Sequence, residues 1–226
     1  MLAGGLGTRL RPEVPDLPKP MAPVGGRPFL EILLDRWVSL GATHFILSVG
    51  YRHESIESHF GRSFRGVEVD YAVETTPLGT GGGLLVAARS LRGQGPYVVA
   101  NGDTYLEVEL QSLASFHAAR DAEVTVALLP QTDTGRYAGV RVDESGRVRA
   151  FGTAEANLIN GGVYLFSPGV LGKAGFAAGE RVSLEADLLP HLLAKDVRVC
   201  GFRCDGRFID IGIPDDYRRA SEYLSK

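Results

Sequence analysis

The sequence has little cysteine and no long hydrophobic run. Its two cysteines, Cys200 and Cys204, are accompanied by neither a second pair nor a histidine cluster, so we interpret them as reduced structural thiols rather than a disulfide framework or a zinc site. No apolar run approaches the length of a membrane span, and no basic region precedes an apolar stretch at the start. These absences predict a cytoplasmic globular protein without a signal peptide.

An excess of basic residues is also lacking. The 226 residues include 24 lysines and arginines against 27 aspartates and glutamates, which gives a formal net charge of −3. An extended anionic partner, such as nucleic acid or a lipid surface, requires a basic surface. We therefore expect neither nucleic acid nor a membrane as a partner, and a phosphate group has to be bound locally by a few well-placed cations.

Glycine, in contrast, is abundant, with 29 residues, and one glycine-rich segment lies near the start. The chain reads LAGGLGTRLRP over residues 2–12 and PKP over residues 18–20. Glycine lets backbone N–H groups approach anionic oxygens, and a helix beginning after the loop would add its positive end, so the segment predicts a phosphate-binding loop. Arg9 can bind a diphosphate through two parallel hydrogen bonds, and Lys19 offers a point charge. A glycine-rich surface turn followed by a proline-rich loop is the structural alternative.

Strand and helix patterns alternate through the first 130 residues and give way to shorter strands afterwards. The predicted strands are 45–49, 67–73, 97–100, 124–129, 137–142, 147–151, 158–166, 197–203 and 208–211. The predicted helices are 28–40, 53–60, 110–120, 183–193 and 214–223, and a further helix follows the glycine-rich run at 74–83 and extends to about residue 91. This rhythm predicts an α/β fold, with a Rossmann-like, mostly parallel sheet flanked by helices. The short strands after residue 137 predict a small antiparallel sub-sheet over the active site.

A second glycine-rich loop, ETTPLGTGGG over residues 74–83, follows the strand at 67–73. Ligands of such sheets bind beyond the carboxyl ends of the strands, so this loop predicts the second wall of a nucleotide pocket. The predicted nucleotide-binding residues of the two loops and the strand end at residue 100 are Leu2, Ala3, Gly4, Gly5, Gly7, Thr8, Glu74, Pro77, Gly79, Thr80, Asn101 and Gly102.

Two aspartates end apolar strands beside glycine. Asp103 follows Asn101-Gly102, and Asp210 lies in the sequence FIDIG. Either aspartate alone is compatible with a turn or a helix cap. Together with two phosphate loops they predict a hard-cation site, because proteins typically hold Mg²⁺ by one or two carboxylates plus phosphate oxygens. We therefore expect Mg²⁺ as the cofactor and both aspartates as its ligands.

These motifs together resemble the signature of the sugar-phosphate nucleotidyltransferases, GxGTRL followed by PKP, and the metal-binding aspartates of that family match Asp103 and Asp210. Within the family, the chain is most similar to the D-glycero-α-D-manno-heptose 1-phosphate guanylyltransferases. The resemblance implies one nucleotidyltransferase domain over residues 1–226, nucleotide-binding to about residue 130 and sugar-binding beyond it. The further matching stretches are LPKPMAPV at 17–24, LSVGYRHE at 47–54, PLGTGG at 77–82, INGGVY at 159–164 and FIDIGIP at 208–214.

The resemblance implies that a sugar 1-phosphate oxygen attacks the α-phosphorus of GTP and releases pyrophosphate, as in capsule or other surface polysaccharide synthesis. The nucleophile needs no general base, since a phosphate monoester with a second pKa of about 6 is already largely ionised at neutral pH. Catalysis then depends on positioning and charge neutralisation. We assign Arg9 to the departing pyrophosphate, Lys19 to the α-phosphate, and Asp103 and Asp210 to the metal ion.

Sugar contacts follow from the resemblance by position: Gly139, Glu155, Asn160 and Gly162. In the family, a Glu-Lys pair follows the position of Phe151, and its lysine binds the sugar phosphate. This sequence instead reads GTAEAN over residues 152–157 and has no lysine there. Two alternatives remain for this departure: a loop absent from the sequence, or weaker binding of the phosphate.

Glu74 is the candidate for base selection. A carboxylate accepts two hydrogen bonds side by side, and guanine offers two adjacent donors, whereas uracil offers one donor between two acceptors. GTP is therefore favoured, and the alternative is that Glu74 is an ordinary solvated residue at a strand end.

Alternative functions are a sugar 1-phosphate uridylyltransferase, a mannose 1-phosphate guanylyltransferase and a non-catalytic nucleotide-sugar-binding regulatory module. Such a module needs no metal carboxylates, which argues against it. A dinucleotide-dependent oxidoreductase is disfavoured because the complete glycine triplet and its acidic ribose ligand are missing. The assembly, monomer or homodimer, is left open.

Overall fold

The computed structural model describes residues 1–131, 137, 139–153, 156–177 and 179–225. The strands are β1 (Pro23–Val24), β2 (Arg27–Pro28), β3 (His44–Val49), β4 (Ser63–Phe64), β5 (Val67–Val73), β6 (Tyr97–Ala100), β7 (Thr104–Leu106), β8 (Val124–Pro130), β9 (Gly139–Val142), β10 (Val148–Thr153), β11 (Leu158–Phe166), β12 (Val199–Arg203) and β13 (Phe208–Asp210). The helices are α1 (Phe29–Ser39), α2 (His53–Phe60), α3 (Gly79–Ala87), α4 (Leu110–Ala119), α5 (Val170–Ala174), α6 (Leu189–Ala194) and α7 (Pro214–Leu224). Strands and helices therefore alternate as the sequence predicts.

Most strands at the centre of the fold run in one direction. β3 and β5 pair in parallel, and Leu2 extends this sheet through parallel bridges to Ser48 of β3 and to Asn101 at the end of β6. β8 and β12 also pair in parallel. The long strand β11 runs the opposite way between β6 and β8. The predicted mostly parallel α/β sheet is therefore confirmed, with one reversed strand inside it.

Two of the smaller antiparallel pairings lie near the predicted site residues. β9 pairs with β10 and contacts β11 through Gly139 and Ile159, which confirms the predicted antiparallel sub-sheet. β7 and β13 form a separate pair, in which Asp210 lies opposite Thr104. A three-residue strand carries too short a pattern to be recognised, so β7 was missing from the sequence prediction. The β7–β13 pair brings the two predicted metal-binding aspartates to the same place.

The segment after the first glycine-rich loop forms a turn rather than a helix that would add its positive end to the loop. Gly7 O accepts hydrogen bonds from Leu10 N at 3.0 Å and Arg11 N at 3.2 Å, which forms a turn and no regular helix. Pro12 and Pro15 follow within a few residues, and proline lacks the N–H that would continue a helix. Any phosphate bound here is therefore met by loop N–H groups and side chains.

The helix predicted over residues 183–193 is split in two. Leu184–Leu188 form a π-helical turn and Leu189–Ala194 form α6. Ser183 caps the first turn, since its Oγ accepts a hydrogen bond from Ala186 N at 3.1 Å. Among the residues with described coordinates, no helix is long and apolar enough to cross a membrane.

Apolar side chains fill the space between the sheet and its helices. Phe29, Leu30 and Leu34 of α1 are fully buried and belong to the same cluster as Leu47 of β3. Burial of one such side chain stabilises the fold by about 1.5–3 kcal/mol. A second cluster, which includes Tyr164, fills the other side. The loops at the carboxyl ends of the strands are thus attached to a packed support.

Candidate active site

The first glycine-rich loop leaves the sheet between two strand ends. Leu2 N donates to Ala100 O at 2.8 Å, and Ala3 N donates to Ser48 O at 2.7 Å. Beyond them, Gly4 lies so close to Glu74 that a Cβ at residue 4 would be 2.5 Å from Glu74 Oε1. The sequence places glycine here because the loop and the Glu74 carboxylate share one edge of the site.

A cleft of about 350 Å³ lies in front of this loop. It brings together most of the predicted nucleotide-binding residues, from both loops and from the end of β6. Its lining includes Leu2, Ala3, Gly4, Gly5, Gly7, Thr8, Lys19, Glu74, Pro77, Gly79, Thr80, Asn101 and Asp103. Gly102 does not line the cleft, and its N–H donates to Leu2 O at 2.8 Å behind the loop. Arg9 and Asp210 also lie outside the lining, although the Arg9 charge is close enough to act on Asp210.

Lys19 joins the two predicted metal-binding aspartates. Its ammonium lies 2.5 Å from Asp103 Oδ2 and 3.6 Å from Asp210 Oδ1. Asp210 Oδ1 also accepts a hydrogen bond from Gly212 N at 2.7 Å. A side chain at residue 212 would occupy the position of the Lys19 ammonium. The glycine in the sequence FIDIG therefore leaves room for the lysine, a role that the sequence alone did not indicate.

The charge balance of this cluster fits a divalent cation. Burial raises the pKa of Asp210, the nearby Asp103 charge raises it further, and Lys19 opposes both effects. One ammonium thus serves two carboxylates, which leaves an excess of negative charge. Carboxylate oxygens are the hard donors that Mg²⁺ prefers. Asp103 and Asp210 are accordingly the residues that would hold a magnesium ion, as the sequence predicts.

The Glu74 carboxylate is fixed by two protein donors. Ser48 Oγ donates to Oε1 at 3.1 Å, and Leu78 N donates to Oε2 at 3.0 Å. A carboxylate oxygen accepts two hydrogen bonds, so each oxygen keeps one acceptor position. Glu74 is therefore held in a defined orientation on the cleft lining, with two adjacent acceptor positions still open.

The second glycine-rich segment packs against residues 180–184. Gly81 N and Gly82 N both donate to Val182 O, at 2.9 and 3.0 Å, and Val182 N donates to Leu78 O at 2.8 Å. A Cβ at residue 82 would be 2.5 Å from Glu180 O. Gly81 and Gly82 belong to the first turn of α3 rather than to a free loop, and they permit a close approach between two backbones, whereas Gly79 lines the cleft.

This packing brings Arg181 to the cleft, where the sequence analysis did not expect it. Across the part of the chain that the structure describes, the Arg181 side chain has no hydrogen-bond or ion-pair partner. No local motif marks this arginine, because its place depends on contacts with a helix about a hundred residues earlier. Arg181 adds a cation to the cleft lining.

The predicted sugar contacts lie along β11 and its neighbour. Gly139 of β9 pairs with Ile159, one residue before Asn160. Asn160 Oδ1 accepts a hydrogen bond from Gly162 N at 3.0 Å, and Gly162 O accepts one from Asn101 N at 2.8 Å. Asn160 and Gly162 are thus linked to the nucleotide side of the cleft. Glu155 lies outside the described residues.

Two other features of the molecule offer no competing site. A cavity of about 380 Å³ between the starts of β3 and β6 has a mainly apolar lining, which includes Trp37 and Leu84. Near it, His44, Glu68 and Asp70 form the one cluster with three potential metal ligands within the described ranges. Arg92 donates to both carboxylates, at 2.7 and 2.8 Å, so this is an ion-pair network.

The cysteines are both free and buried, in agreement with structural thiols, and burial raises the pKa of Cys204 to about 11.

Comparisons with known proteins agree with this geometry. The family model described as "Nucleotidyl transferase" matches residues 1–226. The D-glycero-α-D-manno-heptose 1-phosphate guanylyltransferase of Aneurinibacillus thermoaerophilus is 40% identical, over 99% of this chain and 96% of that protein. The mannose-1-phosphate guanylyltransferase of Mycobacterium tuberculosis is 37% identical, over 99% of this chain and 63% of that protein. HddC from Yersinia pseudotuberculosis, solved as a complex with GMP-PN, superposes with a TM-score of 0.83 at 31% identity, covering 99% of this chain and 97% of that one.

Proposed function

This chain belongs to the nucleotidyl transferase family, and we propose that it transfers the guanylyl group of GTP to a sugar 1-phosphate, with release of pyrophosphate. The observation that supports this proposal is that Lys19 contacts Asp103 and Asp210, and that Lys19 and Asp103 line a cleft together with residues of both glycine-rich loops. Cations and carboxylates at that point suit a reaction in which two anions react. A binding module has no need for the paired carboxylates.

Different residues of the chain bind the triphosphate, neutralise charge and would hold the metal ion. The backbone of the first loop and Arg9 bind the triphosphate, and Lys19 neutralises charge at the α-phosphate when it turns from Asp103 toward the nucleotide. Asp103 and Asp210 would hold Mg²⁺, which supplies Lewis-acid stabilisation of the phosphate oxygens. The sugar phosphate attacks without a general base, because it is already ionised. Rate acceleration then comes from orientation and from fixed charges.

Guanine selection is assigned to Glu74. Each of its two carboxylate oxygens keeps one acceptor position, and the guanine edge offers two adjacent donors to them. The relatives named above are guanylyltransferases, which supports the same base. A uridylyltransferase is the alternative, and it is distinguished by the triphosphate that the protein prefers.

For the sugar, we propose D-glycero-α-D-manno-heptose 1-phosphate, and a product used in capsule or other surface polysaccharide synthesis. The support is the 40% identity to an enzyme with that name over nearly the whole length of both chains. Mannose 1-phosphate is the second candidate, since the relative with that name is 37% identical. Asn160, Gly162 and Gly139 are the proposed sugar contacts, together with Glu155.

The test is pyrophosphate release in the presence of Mg²⁺, with each of four nucleoside triphosphates and a panel of sugar 1-phosphates. We expect the highest kcat/KM for GTP with the heptose 1-phosphate. A higher value with mannose 1-phosphate would replace the sugar assignment, and a preference for UTP would replace the base assignment. Absence of release with every pair would overturn the enzymatic function.

A further inference from the structure

A continuous series of hydrogen bonds runs from the nucleotide side of the cleft to the sugar side. Thr80 Oγ1 donates to Glu185 Oε2 at 3.2 Å, and the Tyr164 hydroxyl donates to Glu185 Oε1 at 2.9 Å. Asn160 Nδ2 donates to the Tyr164 hydroxyl at 2.5 Å. Glu185 therefore stands between Thr80, which lines the cleft, and Asn160, a proposed sugar contact, and touches the first directly and the second through Tyr164.

The direction of every hydrogen bond in this series is determined. Tyr164 is fully buried, and burial together with the Glu185 charge raises its pKa well above the ordinary value of 10. The hydroxyl therefore stays protonated and donates a hydrogen bond to the Glu185 carboxylate. Its oxygen accepts a hydrogen bond from Asn160. The amide of Asn160 is consequently oriented, with nitrogen toward Tyr164 and oxygen toward Gly162 N.

On the nucleotide side of Glu185, the Thr80 hydroxyl accepts a hydrogen bond from Leu184 N at 2.8 Å and donates one to Glu185. A carboxylate with two oxygens serves both hydroxyls at once, one per oxygen. Glu185 thus sets which acceptor positions Thr80 leaves open on the cleft lining, and which amide positions Asn160 leaves open toward the sugar.

The backbone is irregular at two places along this series. Glu185 lies in the π-helical turn Leu184–Leu188, and such turns are rare and concentrated at functional sites. The pairing of β11 with β8 shifts register between Asn160 and Tyr164, and bulges of this kind commonly re-aim a side chain near an active site. The two irregularities meet through the Glu185 carboxylate.

We propose that Glu185 is a positioning residue that orients both substrate subsites, Asn160 through Tyr164 and Thr80 directly. The proposal rests on the proposed function, since it assumes that these two subsites bind a sugar 1-phosphate and a nucleotide. It assigns no contact between Glu185 and either substrate. The hydrogen bond from Tyr164 to Glu185 affects KM for the sugar 1-phosphate, and the hydrogen bond from Thr80 to Glu185 affects KM for GTP.

Three substitutions separate the two arms. Tyr164→Phe removes only the arm to Asn160 and is expected to raise KM for the sugar 1-phosphate about three- to tenfold, the range for one lost hydrogen bond, with KM for GTP unchanged. Glu185→Ala removes both arms and is expected to raise both constants. Glu185→Gln keeps an acceptor for Tyr164 but turns a donor toward Thr80, so only KM for GTP is expected to rise.

The deciding measurement is the double variant Glu185→Ala with Tyr164→Phe. If Glu185 acts on the sugar through Tyr164, the double variant has the same KM for the sugar 1-phosphate as Glu185→Ala alone. Independent, multiplying effects of the two substitutions would overturn the proposal. Glu123→Gln is the matched control, because Glu123 is a partly exposed glutamate that pairs with Lys173 away from the cleft, and both its constants are expected to match the parent.

Hydrogen exchange of the Gly162 amide tests the same proposal without turnover. This N–H donates to Asn160 Oδ1, so Glu185→Ala and Tyr164→Phe are expected to accelerate its exchange, whereas Glu185→Gln and Glu123→Gln are not. Unchanged exchange in Glu185→Ala would overturn the positioning role even if the enzyme is active. A parent protein that releases no pyrophosphate would overturn the proposed function alone, and the exchange result would still decide this inference.

Discussion

The Lys19 ammonium lies 2.5 Å from Asp103 Oδ2, although 84 residues separate them in the chain. The same ammonium is 3.6 Å from Asp210. A residue of the first phosphate loop region is therefore the counter-charge of the two carboxylates assigned to the metal. Substrate phosphates and a divalent cation would compete for these three groups, so charge changes here are expected to affect turnover more than folding.

Asp210→Asn is expected to lower kcat by about 100-fold or more, roughly 3 kcal/mol, because the amide keeps the shape of the side chain but loses the negative charge that would hold Mg²⁺. Asp103→Asn is expected to behave in the same way. The measurement is steady-state pyrophosphate release over a range of Mg²⁺ concentrations. Asp121→Asn, at an exposed residue that pairs with Arg198, is the control. Near-normal turnover of both variants at saturating Mg²⁺ would contradict the metal assignment.

Lys19→Arg is expected to reduce kcat strongly with a small change in melting temperature. The ammonium occupies space that exists only because residue 212 is glycine, and a planar guanidinium is broader than an ammonium. Turnover and thermal unfolding are measured on the same samples. Lys173→Arg, at an exposed lysine that pairs with Glu123, is the matched variant. Full activity of Lys19→Arg would show that a point charge is not needed at this position.

Glu74→Gln is expected to lower kcat/KM for GTP about tenfold to hundredfold, since one donor on guanine loses its acceptor. Leu78 N requires an acceptor at its end of the side chain, so the amide nitrogen is directed to the side of Ser48, which can accept from it. The new donor is therefore fixed in place. UTP serves as the internal control, because uracil presents a donor next to an acceptor, and its kcat/KM is expected to hold or rise. An unchanged ratio between the two nucleotides would remove Glu74 from base selection.

Arg181→Gln is expected to raise KM for the sugar 1-phosphate by about tenfold, with a smaller effect on GTP. The segment directly after Phe151, residues 152–157, has no lysine, and Arg181 lines the cleft as a cation without a partner within the described part of the chain. Charge-assisted hydrogen bonds to phosphate contribute about 1.5–3 kcal/mol. Arg89→Gln, at an exposed arginine outside the cleft, is the control. Equal constants for Arg181→Gln and the parent would exclude a phosphate contact.

The buried ring of His117 is expected to make the free energy of unfolding depend on pH. Its ring is buried between the Thr125 and Ser167 hydroxyls, at 2.8 and 2.9 Å, and burial lowers its pKa below the ordinary value of 6.5. Below pH 6.5 the unfolded chain binds a proton that the folded state resists, so this contribution is complete above that pH and is lost as the pH falls. Urea unfolding between pH 7.5 and 5.0 should show a steeper decline for the parent than for His117→Asn. Parallel curves would contradict the assignment.

Local patterns predicted most of the elements but only part of the site. The glycines around Gly4 and Gly81, and the aspartates at strand ends, are visible because their signals lie within a few consecutive residues. Arg181 and Glu185 carry no such signal, since each becomes part of the site through contacts with α3. Thr80 and Glu185 are 105 residues apart in the chain, and no periodicity in the sequence relates two positions at that distance.

The glycines of the second segment show how one pattern can have two causes. The glycine-rich run over residues 74–83 predicts a wall of the nucleotide pocket, and Gly79 does line the cleft. Gly81 and Gly82 instead permit the close approach of Val182. A glycine run indicates that something comes near the backbone, but its identity depends on the tertiary fold.

The packing of residues 180–184 onto α3 bears on biosynthesis. The first 130 residues contain both loops, Lys19 and Asp103, yet Arg181 and Asp210 arrive only with the last quarter of the chain. A ribosome-bound chain that has emerged through β8 would have most of the cleft lining but would lack one of its cations and one of the two carboxylates assigned to the metal. Full affinity for GTP in the presence of Mg²⁺ is therefore expected only once synthesis has passed β13.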